Sequence, residues 1–266
     1  MLKQNRVEKA QEAYRNKDLN ATKRAHTKEA IEHKETHQKE KGKYIGDFVY
    51  GALDGIITTF AVVSGVQGAQ MNNSVVLIMG FANLLADGIS MGVGNYLSTK
   101  SELEYIKKER EREEWEIEHY PDGEREEIRH ILKKKGFIGK DLDRAVKVIT
   151  SDKKIWVDTM MLDELGLTVE DKTPVMSGFA TFISFLIAGF IPLLIYVVSF
   201  FIPLFSANLF FVSIVLTALT LFGVGAIRSV ITGTKWIRSG LEMLLMGGLA
   251  ATVAYWIGFF LRRIIG

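Results

Sequence analysis

The stretch that decides the fold is "SVVLIMGFANLLADGISMGVGNYLSTKSELEYIKKEREREEWEIE", residues 74–118. Its first part, 74–98, is long and apolar enough to cross a bilayer, which takes about 20 residues. Its last part, 101–118, holds eight Glu among eighteen residues. No Pro lies between the two parts, so nothing stops a single helix from running out of the apolar segment into the charge.

The same segregation holds along the whole chain. Of 31 acidic residues, 7 lie in 1–46 and 20 in 101–172; the others are Asp47, Asp54, Asp87 and Glu242. The net charge of +2 therefore averages two unlike populations. Apolar runs at 47–69, 74–98, 174–203, 208–232 and 241–261 predict five membrane spans. The expected architecture is an all-α membrane protein. It has a charged extension (1–43), spans 1 and 2 (44–100), a helical insert (101–172) and spans 3 to 5 (173–266). The insert divides into predicted helices over 101–120, 122–135, 141–150 and 152–165, with Gly136 and Gly166 as stops.

Lys and Arg avoid the loops 70–73 and 204–207 and crowd the N-terminal segment, the insert and the 233–240 loop. The positive-inside rule then puts the N-terminus and insert in the cytoplasm and the C-terminus on the far side, with Arg262 and Arg263 as a small contrary signal. Residues 1–43 lack the apolar core of a signal peptide and read as a solvated helix. With 12 Lys/Arg against 7 acids in 1–46, this segment suits the surface of an anionic leaflet. The absence of Cys excludes disulfides, iron–sulfur clusters and thiolate metal sites.

On a helix of 3.6 residues per turn, Glu102, Glu109, Glu113 and Glu116 fall in one arc, with Glu104, Glu111 and Glu118 opposite. A solvated helix would follow each Glu with a cation four residues on. Glu104–Lys108 obeys this. Glu102, Glu109, Glu113 and Glu116 are followed by Ile106, Glu113, Ile117 and Tyr120, and only Arg112 stands four before Glu116. Such a row needs positive charge among it, and a divalent cation would supply it. In "WVDTMMLDELGL" (156–167), Met160 and Glu164 share a helical face. A thioether beside a carboxylate favours a transition metal over Mg²⁺ or Ca²⁺; Met160 as core filler is the competing reading.

Ionisable residues recur inside the spans. Asp47 and Asp54 lie seven apart on span 1, and Asn83, Asp87 and Met91 lie four apart on span 2. Carboxylates at membrane depth are costly and usually line a polar path. Asp54 is deepest. Asp47 also suits a helix N-terminus, Asp87 could pair with Arg228 or stay protonated, and Glu242 is expected to pair with Arg238. His26, His33 and His37, with Glu29 and Glu40, form one helical face, more readily a solvated face than a metal site.

The chain resembles the vacuolar iron transporter family over about residues 44–266. The match rests on "LDGIITTFAVVSG" (53–65), "ADGISMGVGNYLSTKSELE" (86–104), "WVDTMMLDELGL" (156–167) and the order of two spans, acidic insert and three spans. The resemblance implies a homodimer with five spans per subunit that exchanges cytosolic Fe²⁺ for protons. Its path would lie at the dimer interface between the first two spans. Asp47 and Asp54 would be the intramembrane carboxylates and Met91 the thioether ligand. Glu102, Glu113, Glu116, Met160 and Glu164 would capture metal in the insert, and the helix geometry adds Glu109. The chain departs from the family at Asn95, where Gly-Glu-Tyr is common, at Asn83, which stands for a carboxylate used elsewhere, and at Tyr105, where an acid is expected.

The function this resemblance implies is proton-coupled export of Fe²⁺ from the cytosol, with Mn²⁺, Co²⁺ or Zn²⁺ as alternative cargo that the sequence does not rank, and no cofactor. The membrane would be the cell membrane in a prokaryote and the vacuolar membrane in a eukaryote. A rival of another class is a membrane-anchored metal sensor that transports nothing. An intramembrane enzyme is disfavoured because all five His lie outside the spans. Nucleic-acid binding is disfavoured because the insert has 15 basic residues against 20 acidic.

Overall fold

The computed structural model describes residues 6–28, 30, 43–168, 172–202 and 208–265. Every regular element among them is helical. In chain order these are α1 (Arg6–Arg15), α2 (Leu19–Ala25), α3 (Ile45–Gly68), α4 (Asn73–His119), α5 (Pro121–Lys134), α6 (Gly139–Ile149) and α7 (Lys153–Thr159). A π-turn follows at Met160–Glu164, then α8 (Pro174–Phe201), α9 (Leu209–Thr232) and α10 (Trp236–Ile265). Five of them, α3, α4, α8, α9 and α10, are long and apolar enough to cross a membrane. The helix α4 is continuous for 47 residues and includes both span 2 and the acidic stretch. The chain divides into two compact units, Met1–Leu84 with Ser184–Gly266, and Leu85–Ile183.

In the first unit, helix crossings are set by glycine. A Cβ at Gly189 would come within 2.7 Å of the Gly55 carbonyl oxygen, and one at Gly258 would collide with that of Gly65. Small residues let backbones approach this closely where lipid offers no hydrophobic drive for helix association. Gly94, Gly223 and Gly248 have no such neighbour among the described residues. Ala52 and Ile56 of α3 pack with Met243 of α10, while Gly65 and Gly68 meet Ala254 and Tyr255. Spans 1 and 5 therefore run parallel, as an odd number of spans requires. At the far end of α10, Arg262 donates to Gln70 in the loop between α3 and α4. The contrary charge at the C-terminus thus has a local partner.

One expected ion pair is corrected here. Arg228 pairs with Glu242 at 3.4 Å, joining α9 to α10, so Glu242 does not take Arg238. The reason is geometric: antiparallel α9 and α10 cross at Gly225 and Gly240, which brings 228 and 242 to the same level. The N-terminal segment is not one helix. Lys17 adopts φ 54° and Asp18 restarts the chain as an N-cap, accepting from the amides of Asn20 (2.8 Å) and Ala21 (3.0 Å). His26 terminates α2, with its Nδ1 2.8 Å from the Thr22 carbonyl. His33, His37, Glu29 and Glu40 lie outside the described residues.

The second unit contains the insert. Pro121 opens α5, acids follow in its first turn and lysines close its last, the order that complements a helix dipole. Gly136 at φ 96° ends it. Asp152 caps α7 by accepting from the Ile155 amide at 3.0 Å. Ile106 and Ile117 of α4 meet Ile128 of α5, Leu142 and Val146 of α6, and Trp156 and Met160 in one apolar core. Arg110–Asp158 at 2.7 Å ties α4 to α7, and Lys135–Asp163 at 2.5 Å ties α5 to the π-turn.

Asn95 ties two helices of this unit together. Its Nδ2 donates to the Ser177 carbonyl (3.1 Å) and to Thr181 Oγ1 (2.7 Å), pinning α4 to the start of α8. A carboxylate could donate neither bond. Asn95→Glu is expected to cost roughly 1–3 kcal/mol, because the Ser177 carbonyl loses its side-chain donor and faces a carboxylate instead. Thermal unfolding in detergent checks it; an unchanged midpoint would sink the pinning role.

Candidate metal centre

Helix α4 delivers Glu109, Glu113 and Glu116 to one side of the insert, and α5 brings Glu124 against them. Carboxylate oxygens of Glu113, Glu116 and Glu124 lie within 4.8 Å of one another. Glu113 and Glu124 are 1% and 5% exposed, and Glu116 is half-buried. Arg112 sits among the row, 3.0 Å from Glu109 and 2.8 Å from each of Glu113 and Glu116. The guanidinium meets Glu113 as an ion pair without hydrogen-bond geometry. Both Glu113 oxygens and Glu124 Oε2 are buried and make no hydrogen bond among the described residues.

One guanidinium does not neutralise this many carboxylates. Burial, opposed by Arg112 and reinforced by Glu164, Glu116 and Glu127, pushes Glu113 up to about 7. Burial and the charges of Glu127, Glu113, Glu116 and Glu164 push Glu124 to about 7 as well. Glu164 is raised by burial and by the charge and hydrogen bond of Glu127. Carboxyl groups that cannot all ionise together in low dielectric form a site that a divalent cation would stabilise by releasing protons. A cleft of about 630 Å³ is lined by Glu126, Glu127, His130, Asp163 and Glu164 among others.

The other expected residues divide. Glu102 is exposed, about 16 Å along α4 from Glu113 at 1.5 Å per residue. Glu104 pairs behind itself with Lys100 at 3.8 Å rather than ahead with Lys108. Met160 is fully buried in the apolar core, the filler role weighed against its thioether. It opens the π-turn, where the Leu165 amide reaches back to its carbonyl at 3.2 Å; such turns concentrate at functional sites. If Met160 serves only packing, Met160→Leu leaves metal affinity unchanged and costs under about 1.5 kcal/mol. If the sulfur is a ligand, the same stability comes with weakened Fe²⁺ binding. The second outcome is expected, read by titration of the full-length protein.

In the spans, Asp47 lies in the first turn of α3 and Asp54 near its middle, both half-buried. Asn83, Asp87 and Met91 form a half-buried line on α4, and Asn95 continues it. The Asn83 Nδ2 is buried without a hydrogen-bond partner among the described residues.

Residues 45–259 match the VIT family. The chain belongs to that family. It is 36% identical to a "Vacuolar iron transporter" of Toxoplasma gondii, with 98% of this chain and 90% of that one covered. It is 36% identical to one of Plasmodium falciparum (96% of each) and 34% identical to "Vacuolar iron transporter 1" of Arabidopsis thaliana (82% and 88%). The VIT family is one of transporters, not enzymes. In this VIT-family chain the residue that sequence reading missed is Glu124. Its only local signal was its place in the first turn after Pro121, where an acid needs no further reason. Its approach to Glu113 is tertiary.

Proposed function

We propose that this protein exports Fe²⁺, and also Mn²⁺, from the cytosol in exchange for protons. The observation that carries the reading is the carboxylate cluster Glu113, Glu116 and Glu124, two of its three members buried, in a chain whose relatives are named iron transporters. The insert gathers metal at these residues with Glu102, Glu109, Met160 and Glu164. Metal passes to the polar faces of spans 1 and 2, with Asp54 and Met91 as ligands and Asp47, Asn83 and Asp87 along the path. Protonation of those carboxylates from the acidic side releases the metal. The working unit is a homodimer. The exposed row Phe81, Leu85, Ile89, Val93 and Leu97 on α4 supports a helix face that a second copy or lipid covers. The insert and N-terminus face the cytoplasm, in line with the loop charges.

Fe²⁺ uptake into proteoliposomes with an acidic lumen, insert outward, tests this reading. Uptake that collapses with the gradient supports exchange. Metal held on the vesicle surface without uptake would overturn it in favour of a sensor.

A further inference from the structure

The turn between spans 4 and 5 borders a cavity of about 1310 Å³. It is larger than the roughly 300–1,000 Å³ of ordinary small-molecule pockets. Three cations line it: Lys235 and Arg238 from the turn and the start of α10, and Arg15 from α1. Glu242 also lines it, but its charge is matched by Arg228. No ion pair engages Lys235, Arg238 or Arg15 among the described residues, so the cavity carries net positive charge. Its other wall is apolar. Ile227 of α9 and Leu245 of α10 belong to the spans themselves, and both are exposed. Trp236 stands at the border, edge-on to Phe222 with ring centroids 5.7 Å apart, where an amphipathic ring suits a membrane–water interface.

We infer that this cavity binds an anionic glycerophospholipid, with its phosphate at Lys235, Arg238 and Arg15 and its acyl chains along Ile227 and Leu245. A soluble protein segment would leave that wall facing hydrocarbon. A zwitterionic lipid would leave the three cations uncompensated. Because Arg15 comes from α1, the bound lipid ties the N-terminal extension to spans 4 and 5. This inference rests on the membrane fold and not on the metal reading.

The full-length protein in phosphatidylcholine nanodiscs is titrated with phosphatidic acid, phosphatidylserine or extra phosphatidylcholine. Bound lipid is counted by native mass spectrometry, and metal flux is measured separately. The anionic lipids are expected to bind preferentially. Lys235→Ala with Arg238→Ala should cut that preference about thirty-fold, taking about 1 kcal/mol per cation near a membrane and 1.4 kcal/mol per tenfold. Lys235→Arg with Arg238→Lys should keep it. Equal binding of neutral and anionic lipid by the wild type overturns the proposal without any variant. So does undiminished preference in the folded alanine variant, or full displacement of lipid by millimolar inorganic phosphate, which would make this a phosphate site.

Discussion

Asp54→Ala is expected to reduce gradient-driven Fe²⁺ uptake at least about a hundredfold, since even outer partners of a metal ligand are worth about ten- to a hundredfold. Asp54 is the acid deepest in α3, half-buried and well past the first turn, where the helix dipole cannot explain it. A carboxylate at such depth costs a few kcal/mol, so its replacement by Ala should not harm folding. The control is metal binding by the insert, which belongs to the other compact unit and should be unchanged. Asp54→Glu keeps the charge and should recover part of the flux. Wild-type flux in Asp54→Ala would remove span 1 from the path, and lost insert binding in the same variant would point to misfolding instead.

The second large effect is on pH. Glu113 and Glu124 are raised to about 7 from an unfolded value near 4.3. A raised acid is held protonated in the folded state. Its contribution to stability is therefore complete below about pH 4 and is lost as pH rises through about 7. The protein without added metal should lose a few kcal/mol of stability between pH 5 and pH 8, and Fe²⁺ should restore it. Binding at pH 6 should release close to two protons per cluster, and binding at pH 8 far fewer. Calorimetry in two buffers of different ionisation enthalpy reads this number directly. Glu124→Gln removes one buried charge. It should stabilise the protein without metal at pH 8 by roughly 1–3 kcal/mol while weakening Fe²⁺ binding about tenfold or more. Stability flat from pH 5 to 8, with no proton release, would mean that these carboxyls are not the metal site.

The sequence by itself determined the elements whose physics is local. An apolar run of about 20 residues has one low-energy form in a bilayer, so all five spans were legible, including the uninterrupted passage of α4 from lipid to charge. The spacing of Glu109, Glu113 and Glu116 on one arc was legible for the same reason, because helix geometry converts sequence intervals into faces. Break points were less legible. The chain leaves the helix at Lys17 and widens into a π-turn at Met160 with only weak local signals. What only the tertiary structure decided is which charges meet. Glu124 reaches Glu113 because α5 folds back on α4 over the Ile106, Ile117 and Ile128 core. Arg228 takes Glu242 because α9 and α10 cross at glycines. Charge pairing acts over a few ångströms in space and is blind to sequence distance. A one-dimensional pattern can therefore show that an acidic row needs a cation, while packing decides which further acid completes it.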